Sequence, residues 1–418
     1  MTNTVRTSGT RLRAVSIALA LAIVLVPAVL VTEPAEAQTF KVLHTFRGRA
    51  QGGEAYAGLI RDAKGNLYGT TYLGGSKCYE GCGVVFKVGT TGKETVLYNF
   101  GLGRDGGGPY GTLVSDAAGN LYGTAEYGGR GSHKVCALGC GVVFKWDKET
   151  GKETVLYSFK GTDGDGAYPD AGLVWDANGN LYGTTSEGGA YGGGTVFKLD
   201  QSGKETVLYS FGAAQGDGNL PLAGLVLDAN GNLYGTTSEG GIGGCNYGGG
   251  CGTVFKVDKT GNETVLYSFT GGTDGGFPVF GYLVRDAAGN LYGTTDSGGS
   301  SACTNGCGVV FKVDESGNET VLYSFSGTGG DGANPDAGLV WDAAGNLYGT
   351  TFAGGASGYG TVFMLDTTGT ETVLHSFKVS DGGNPYDGLV RDAKGNLYGT
   401  TSCCGRSGGQ GTVFELTP

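Results

Sequence analysis

The sequence predicts an all-β fold: a seven-bladed β-propeller of four-stranded antiparallel blades, with the last blade closed by the N-terminal strand. Three observations carry that expectation. The string Asn-Leu-Tyr-Gly-Thr begins at Asn66, Asn120, Asn180, Asn232, Asn290, Asn346 and Asn396. A second marker, Val-Phe, ends at Phe86, Phe144, Phe197, Phe255, Phe311, Phe363 and Phe414. Seven copies at this spacing are the signature of a repeat architecture, and units of four short strands suit a propeller blade. The third observation concerns the chain ends. The last unit stops at Pro418 without its fourth strand, and Phe40–Phe46 supplies an unmatched copy of it. A closed ring uses every strand, whereas an open solenoid would leave both halves unpaired.

The first segment reads as an address rather than a blade. Arg6, Arg11 and Arg13 precede an apolar run from Ala14 to Val31, and Ala35-Glu36-Ala37 offers small residues for cleavage. Residues 1–37 are therefore expected to be a signal peptide and 38–418 the propeller, with no membrane attachment after cleavage. The rival reading is a retained anchor.

Within the first repeat, strand a is expected at Ala57–Arg61, followed by the turn Asp62-Ala63-Lys64-Gly65. Strand b is expected at Asn66–Thr71, strand c at Gly83–Val88 and strand d at Glu94–Phe100. Valine, leucine, tyrosine, phenylalanine and threonine dominate these segments, as strands require. Val96, Leu97 and Tyr98 are consecutive, which asks for burial on both faces of the sheet.

The unit from Gly172 to Phe211 resembles the GloVer-type tandem repeat of secreted bacterial proteins, and the resemblance covers nearly all of residues 40–418. Its Asp-x-x-Gly-Asn-Leu-Tyr-Gly-Thr segment also resembles repeats of sensor-kinase propellers. The resemblance implies a propeller and an exported, secreted or periplasmic protein, and it implies no activity. Members often end in a sorting or anchoring tail. This chain has none, so a soluble product, expected as a monomer, follows.

Two faces then differ. On one, the a–b turns repeat Asp62, Asp116, Asp176, Asp228, Asp286, Asp342 and Asp392, which read as turn acceptors. On the other, the d–a loops carry Asp-Gly-x-x-Pro, beginning at Asp105, Asp165, Asp217, Asp274, Asp331 and Asp381. Aromatic residues accompany them, and together they suit sugar rings through stacking and hydroxyl hydrogen bonds. The candidate ligand-binding set is Tyr110, Asp165, Tyr168, Asp274, Phe277, Phe280, Asp331, Asp381 and Tyr386. Packing between blades is the competing role for each aromatic, and strand-entrance structure for each aspartate. Tyr127 and Tyr247 add aromatics from the b–c loops.

All ten cysteines fall in b–c loops. The count from the Thr of Asn-Leu-Tyr-Gly-Thr to the Phe of strand c is 13 in two cysteine-free blades. It is 16, 20, 19 and 17 where spaced pairs occur. Cys78/Cys82, Cys136/Cys140, Cys245/Cys251 and Cys303/Cys307 therefore read as disulfides stapling insertions. Adjacent Cys403 and Cys404 form either a strained ring or two thiols. The pairs are too dispersed for zinc, and no metal or cofactor is expected.

The chain has 87 Gly but lacks the every-third rhythm of collagen, and its 23 Tyr and 18 Phe argue against disorder. A net charge of −11 argues against a nucleic-acid partner. The expected function is a non-catalytic binding module for a glycan or an envelope or extracellular protein, acting through the d–a/b–c face. The alternative is a propeller enzyme: a polysaccharide lyase, glycosidase or quinone-dependent dehydrogenase. Catalysis is needed once, not seven times, so unrepeated residues such as His133, Lys134, Arg104, Arg130 and Arg406 are where it would show.

Overall fold

The computed structural model describes residues 1–4, 38–79, 81–131, 135–245 and 249–417. The expected signal segment, His133, Lys134 and Tyr247 lie outside the described residues. Gln38–Pro418 forms one compact unit. Among the described residues no helix is long and apolar enough to cross a membrane.

The compact unit is a seven-bladed propeller. In blade 1, strand a is Ile60–Arg61, b is Leu67–Thr71, c is Val84–Val88 and d is Glu94–Asn99, hydrogen-bonded in that order. The next five blades repeat it; blade 5, for example, runs Val284–Arg285, Leu291–Thr295, Val309–Val313 and Glu319–Ser324. Blade 7 takes a, b and c from Val390–Arg391, Leu397–Thr401 and Thr412–Thr417, and its d strand is Thr39–Thr45. That strand pairs antiparallel with Thr412–Thr417, so the N-terminal strand closes the ring.

Two local expectations need correction. Strand a is shorter than Ala57–Arg61. It is two residues long in every blade, and in blade 1 the Gly58 N–H donates to the side chains of Asp387 and Thr112 instead of to a ladder. The consecutive apolar residues of strand d have a second cause besides two-sided burial. Each c–d pairing contains a bulge; in blade 1, Tyr98 faces Val85 and Val96 faces Phe86, leaving Leu97 unpaired. The bulge re-aims successive side chains.

Blades are held to one another by a repeated aromatic seam. The last Phe of each d segment meets the strand-c Phe of the next blade edge-to-face, as in Phe46–Phe86, Phe269–Phe311 and Phe377–Phe414, with centroids 4.9–5.2 Å apart. These rings are fully buried. Edge-to-face geometry adds about 0.5–1.5 kcal/mol beyond burial. The seam also explains the Gly of Asn-Leu-Tyr-Gly-Thr. A Cβ on Gly183 would sit 2.8 Å from the Phe197 ring and 2.9 Å from Leu173, so only hydrogen fits.

Candidate ligand-binding site at the channel mouth

The a–b turns are the most uniform part of the molecule. Asp228 accepts from the backbone N–H groups of Asn230 and Asn232, from Asn232 Nδ2 and from the Tyr234 hydroxyl, at 2.8–3.1 Å. Asp342 does the same with Ala344, Asn346 and Tyr348. Partial burial pushes these carboxyls up, but the hydrogen bonds outweigh it and hold them below the usual range. This explains why Asp, Asn and Tyr recur together, and it leaves this face without a free functional group in the motif.

The Asp-Gly-x-x-Pro aspartates are placed at the outer edge of the blade seams, not at the channel mouth. Asp165 accepts from the Tyr157 hydroxyl and the Lys160 N–H, both at 2.9 Å. Asp274 accepts from the Tyr267 hydroxyl and the Thr270 N–H. Asp331 accepts from Tyr323 and Ser326. Asp381 accepts from the Lys378 N–H and lies 3.5 Å from His375. Each ties a loop to strand d of the preceding blade.

Tyr168 and Phe277 occupy left-handed backbone, with φ of 58° and 53°. Their N–H groups donate to the carbonyls of Cys140 and Cys251 in the preceding blade. Their carbonyls accept from Ser186 and Asp296. That pair of hydrogen bonds is a seam joint; the Tyr168 ring packs on Tyr127, whose hydroxyl meets that of Tyr72, rather than on Tyr110, Phe280 or Tyr386.

Tyr110, Phe280 and Tyr386 are brought together. They occupy one structural position, three residues before the inner-strand leucine that leads into strand a (Leu59 in blade 1), where Tyr56, Asp170, Leu222 and Asp336 stand in the other blades. Tyr56 stacks on Tyr110 at 5.1 Å and 18°, and Phe280 lies 5.1 Å from Tyr110 and 4.9 Å from Tyr386. Two rings from the b–c loops extend the group: Tyr72 against Tyr110 and Phe352 against Tyr386. Above them lies a bowl of about 530 Å³, whose polar groups come from Glu54, Asn384 and Ser402 and whose wall includes Cys403.

Sequence reasoning missed the acids that flank this platform. The residue after strand b faces the mouth residue of the next blade. At two of the seven seams both are carboxylic: Glu126 with Asp170, and Asp296 with Asp336. Burial drives Asp170 and Asp336 well above the ordinary carboxyl range, and the neighbouring carboxyl adds to it. Burial also raises Glu126 and Asp296, against hydrogen bonds from Tyr127 and Tyr72 in the first case. Such a pair keeps a proton where isolated carboxyls have lost theirs. The signal was available by comparing the repeats column by column: these positions vary where their neighbours do not.

Disulfides close Cys78–Cys82, Cys136–Cys140, Cys245–Cys251 and Cys303–Cys307, and Cys403 is bonded to Cys404. Among the described residues no cluster of three or more potential metal ligands occurs.

A family model, described as the Gloeobacter/Verrucomicrobia repeat, matches residues 29–248, 131–304 and 243–418. The chain belongs to the Gloeobacter/Verrucomicrobia repeat family. No curated protein matches this family member. Among solved structures, it resembles the extracellular domains of two hybrid two-component systems from B. thetaiotaomicron. One matches at 13% identity and a TM-score of 0.52, with 91% of this chain and 41% of that one covered. The other matches at 11% and 0.54, covering 91% and 39%. The family member thus spans about two fifths of those chains. At these identities the likeness is one of fold. A gluconolactonase from Xanthomonas campestris matches at 16% identity and a TM-score of 0.38, over 66% of this chain and 78% of that one.

Proposed function

We propose that the protein is an exported, non-catalytic binding propeller that holds a neutral glycan in the aromatic bowl at its channel mouth. The observation that carries this is the convergence of five rings from four blades, Tyr56, Tyr72, Tyr110, Phe352 and Tyr386, on one bowl edged by Glu54, Asn384 and Ser402. Aromatic faces stack on the C–H faces of sugar rings, and the polar groups meet hydroxyls. The acid pairs beside the platform and the net charge of −11 disfavour a polyanionic ligand. Export is supported by five disulfides, which persist in oxidising compartments. It is also supported by the leader-like residues 1–37.

Calorimetric titration with cellohexaose, xylohexaose, mannohexaose and maltohexaose tests the reading. At least one should bind, and a ligand at a hundred times its Kd should add about 2.7 kcal/mol of stability. Tyr56→Ala and Tyr386→Ala should abolish the binding. Silence across the panel would send the search to a protein partner.

The acid pairs support a second reading, a glycosidase, because glycoside hydrolysis uses two carboxyls of which one must stay protonated. Release of reducing ends from the same oligosaccharides, lost in Asp336→Asn, would favour it.

A further inference from the structure

The repeat breaks in a second place, deeper in the molecule. Directly before the inner-strand leucine, five blades carry Gly; blade 2 has Thr112 and blade 5 has Tyr282. One residue earlier, six blades have Ala or Gly and blade 7 has Asp387. All three exceptions project onto the channel axis. Tyr282 packs on the backbone of Gly338 and Gly388, where a Cβ would meet its ring carbons and its hydroxyl at 2.9 Å. It thereby fills the side of the channel next to blades 6 and 7. Beside it remains a cavity of about 320 Å³, and Thr112, Asp170, Tyr282 and Asp387 are its polar lining side chains besides the mouth tyrosines. Its other walls are leucine, valine and glycine, and Tyr110 and Phe280 stand at its mouth end.

Charge decides what fits. Asp387 is buried, and its oxygens accept from three donors: the N–H groups of Gly58 and Gly388 and the Thr112 hydroxyl. Burial pushes this carboxyl up, and the three donors act against that by favouring its carboxylate form. Asp170 adds a second carboxyl to the wall, and its Oδ1 is shut off from solvent without a hydrogen-bond partner. Among the described residues, no lysine, arginine or histidine lines the cavity. Negative charge in an apolar, water-poor space is costly unless a cation meets it.

We propose that the axial cavity is a binding site for a small organic ammonium ion, with Asp387 as its counter-ion, Asp170 as a hydrogen-bonding carboxyl in its wall, and the Tyr110 and Phe280 rings facing the cationic head. Aromatic rings beside a carboxylate are the established chemistry for alkylated ammonium groups. The cavity shares Tyr56 and Tyr110 with the glycan bowl, but Asp387, Asp170 and Gly224 line only the cavity.

The test is calorimetric titration of the protein at pH 8 with choline and with 3,3-dimethylbutan-1-ol, its neutral isostere. Choline is expected to bind one per chain, and the isostere about tenfold or more weaker. Asp387→Asn should weaken choline by about tenfold or more, and Asp170→Asn by less. If Asp387→Asn fails to fold, Gly224→Leu serves. A Cβ on Gly224 meets nothing closer than 3.5 Å, so a leucine there enters the cavity without displacing backbone. It should abolish choline binding while leaving the oligosaccharide titrations unchanged. Equal binding of the two probes, no choline binding, or full binding by a folded Gly224→Leu protein would overturn the proposal.

Discussion

The a–b turns and the channel mouth are built from the same repeat, yet they handle variation in opposite ways. In the turns, Asp228 and Asp342 hold the same donors with the same geometry, blade after blade. At the mouth, one structural position holds Tyr56, Tyr110, Asp170, Leu222, Phe280, Asp336 and Tyr386. A task that every blade shares is solved once and copied. A task the whole ring performs together is solved by differences between blades. The carboxylates at Asp62 and its equivalents are engaged within their own turns, whereas the carboxyls of Asp170, Asp336 and Asp387 are the ones on which the proposed readings draw.

Breaking the copied parts should cost stability in proportion to burial. The largest effect is expected at the seam: Phe311→Ala, which removes a fully buried ring packed on Phe269, should lower unfolding stability by about 3–5 kcal/mol in denaturant titrations. A smaller loss, about 1–3 kcal/mol, is expected for Asp342→Ala, which leaves the Asn346 amide and the Tyr348 hydroxyl without their acceptor. Replacing Cys303 and Cys307 together by serine should cost at most about 2 kcal/mol, because the bridge closes a loop of only a few residues.

The finest test of the copied ring is pH. Glu94, Glu153, Glu205, Glu263, Glu319 and Glu371 begin strand d, and burial pushes each up to about 7. Glu263 faces Asp217 and Glu319 faces Asp274, which add to the rise. The folded protein then binds more protons than the unfolded chain between the ordinary glutamate range and pH 7. Stability should rise as pH falls from 8 to about 5. Below about 4 it should fall again, because the turn aspartates are held below their usual range and must be protonated. Melting temperatures across that range check both slopes, and Glu263→Gln should flatten the upper one slightly.

The fold was legible because its signals repeat. Seven copies of two markers and an orphan strand at Phe40–Phe46 sufficed for blade number and closure. The strand-a boundary was not legible, since in blade 1 the Gly58 N–H goes to Asp387 and Thr112 of the two flanking blades, residues far from it in sequence. The site was legible only in part. Tyr110, Phe280 and Tyr386 stand out as aromatics beside a loop and do meet. Asp165, Asp274, Asp331 and Asp381 share those loops, yet strand-d hydroxyls and loop N–H groups draw them outward. Asp170, Asp336 and Asp387 were hidden because each pairs with a residue one or more blades away.

The most direct test sets one mouth variant against one turn variant. Tyr386→Ala and Asp342→Ala are each measured for melting temperature and for affinity toward the oligosaccharide that the unaltered protein binds. The account predicts that Tyr386→Ala loses affinity and keeps most of its melting temperature, while Asp342→Ala melts earlier and binds unchanged. Retained affinity in Tyr386→Ala, or lost affinity in a folded Asp342→Ala, would contradict it.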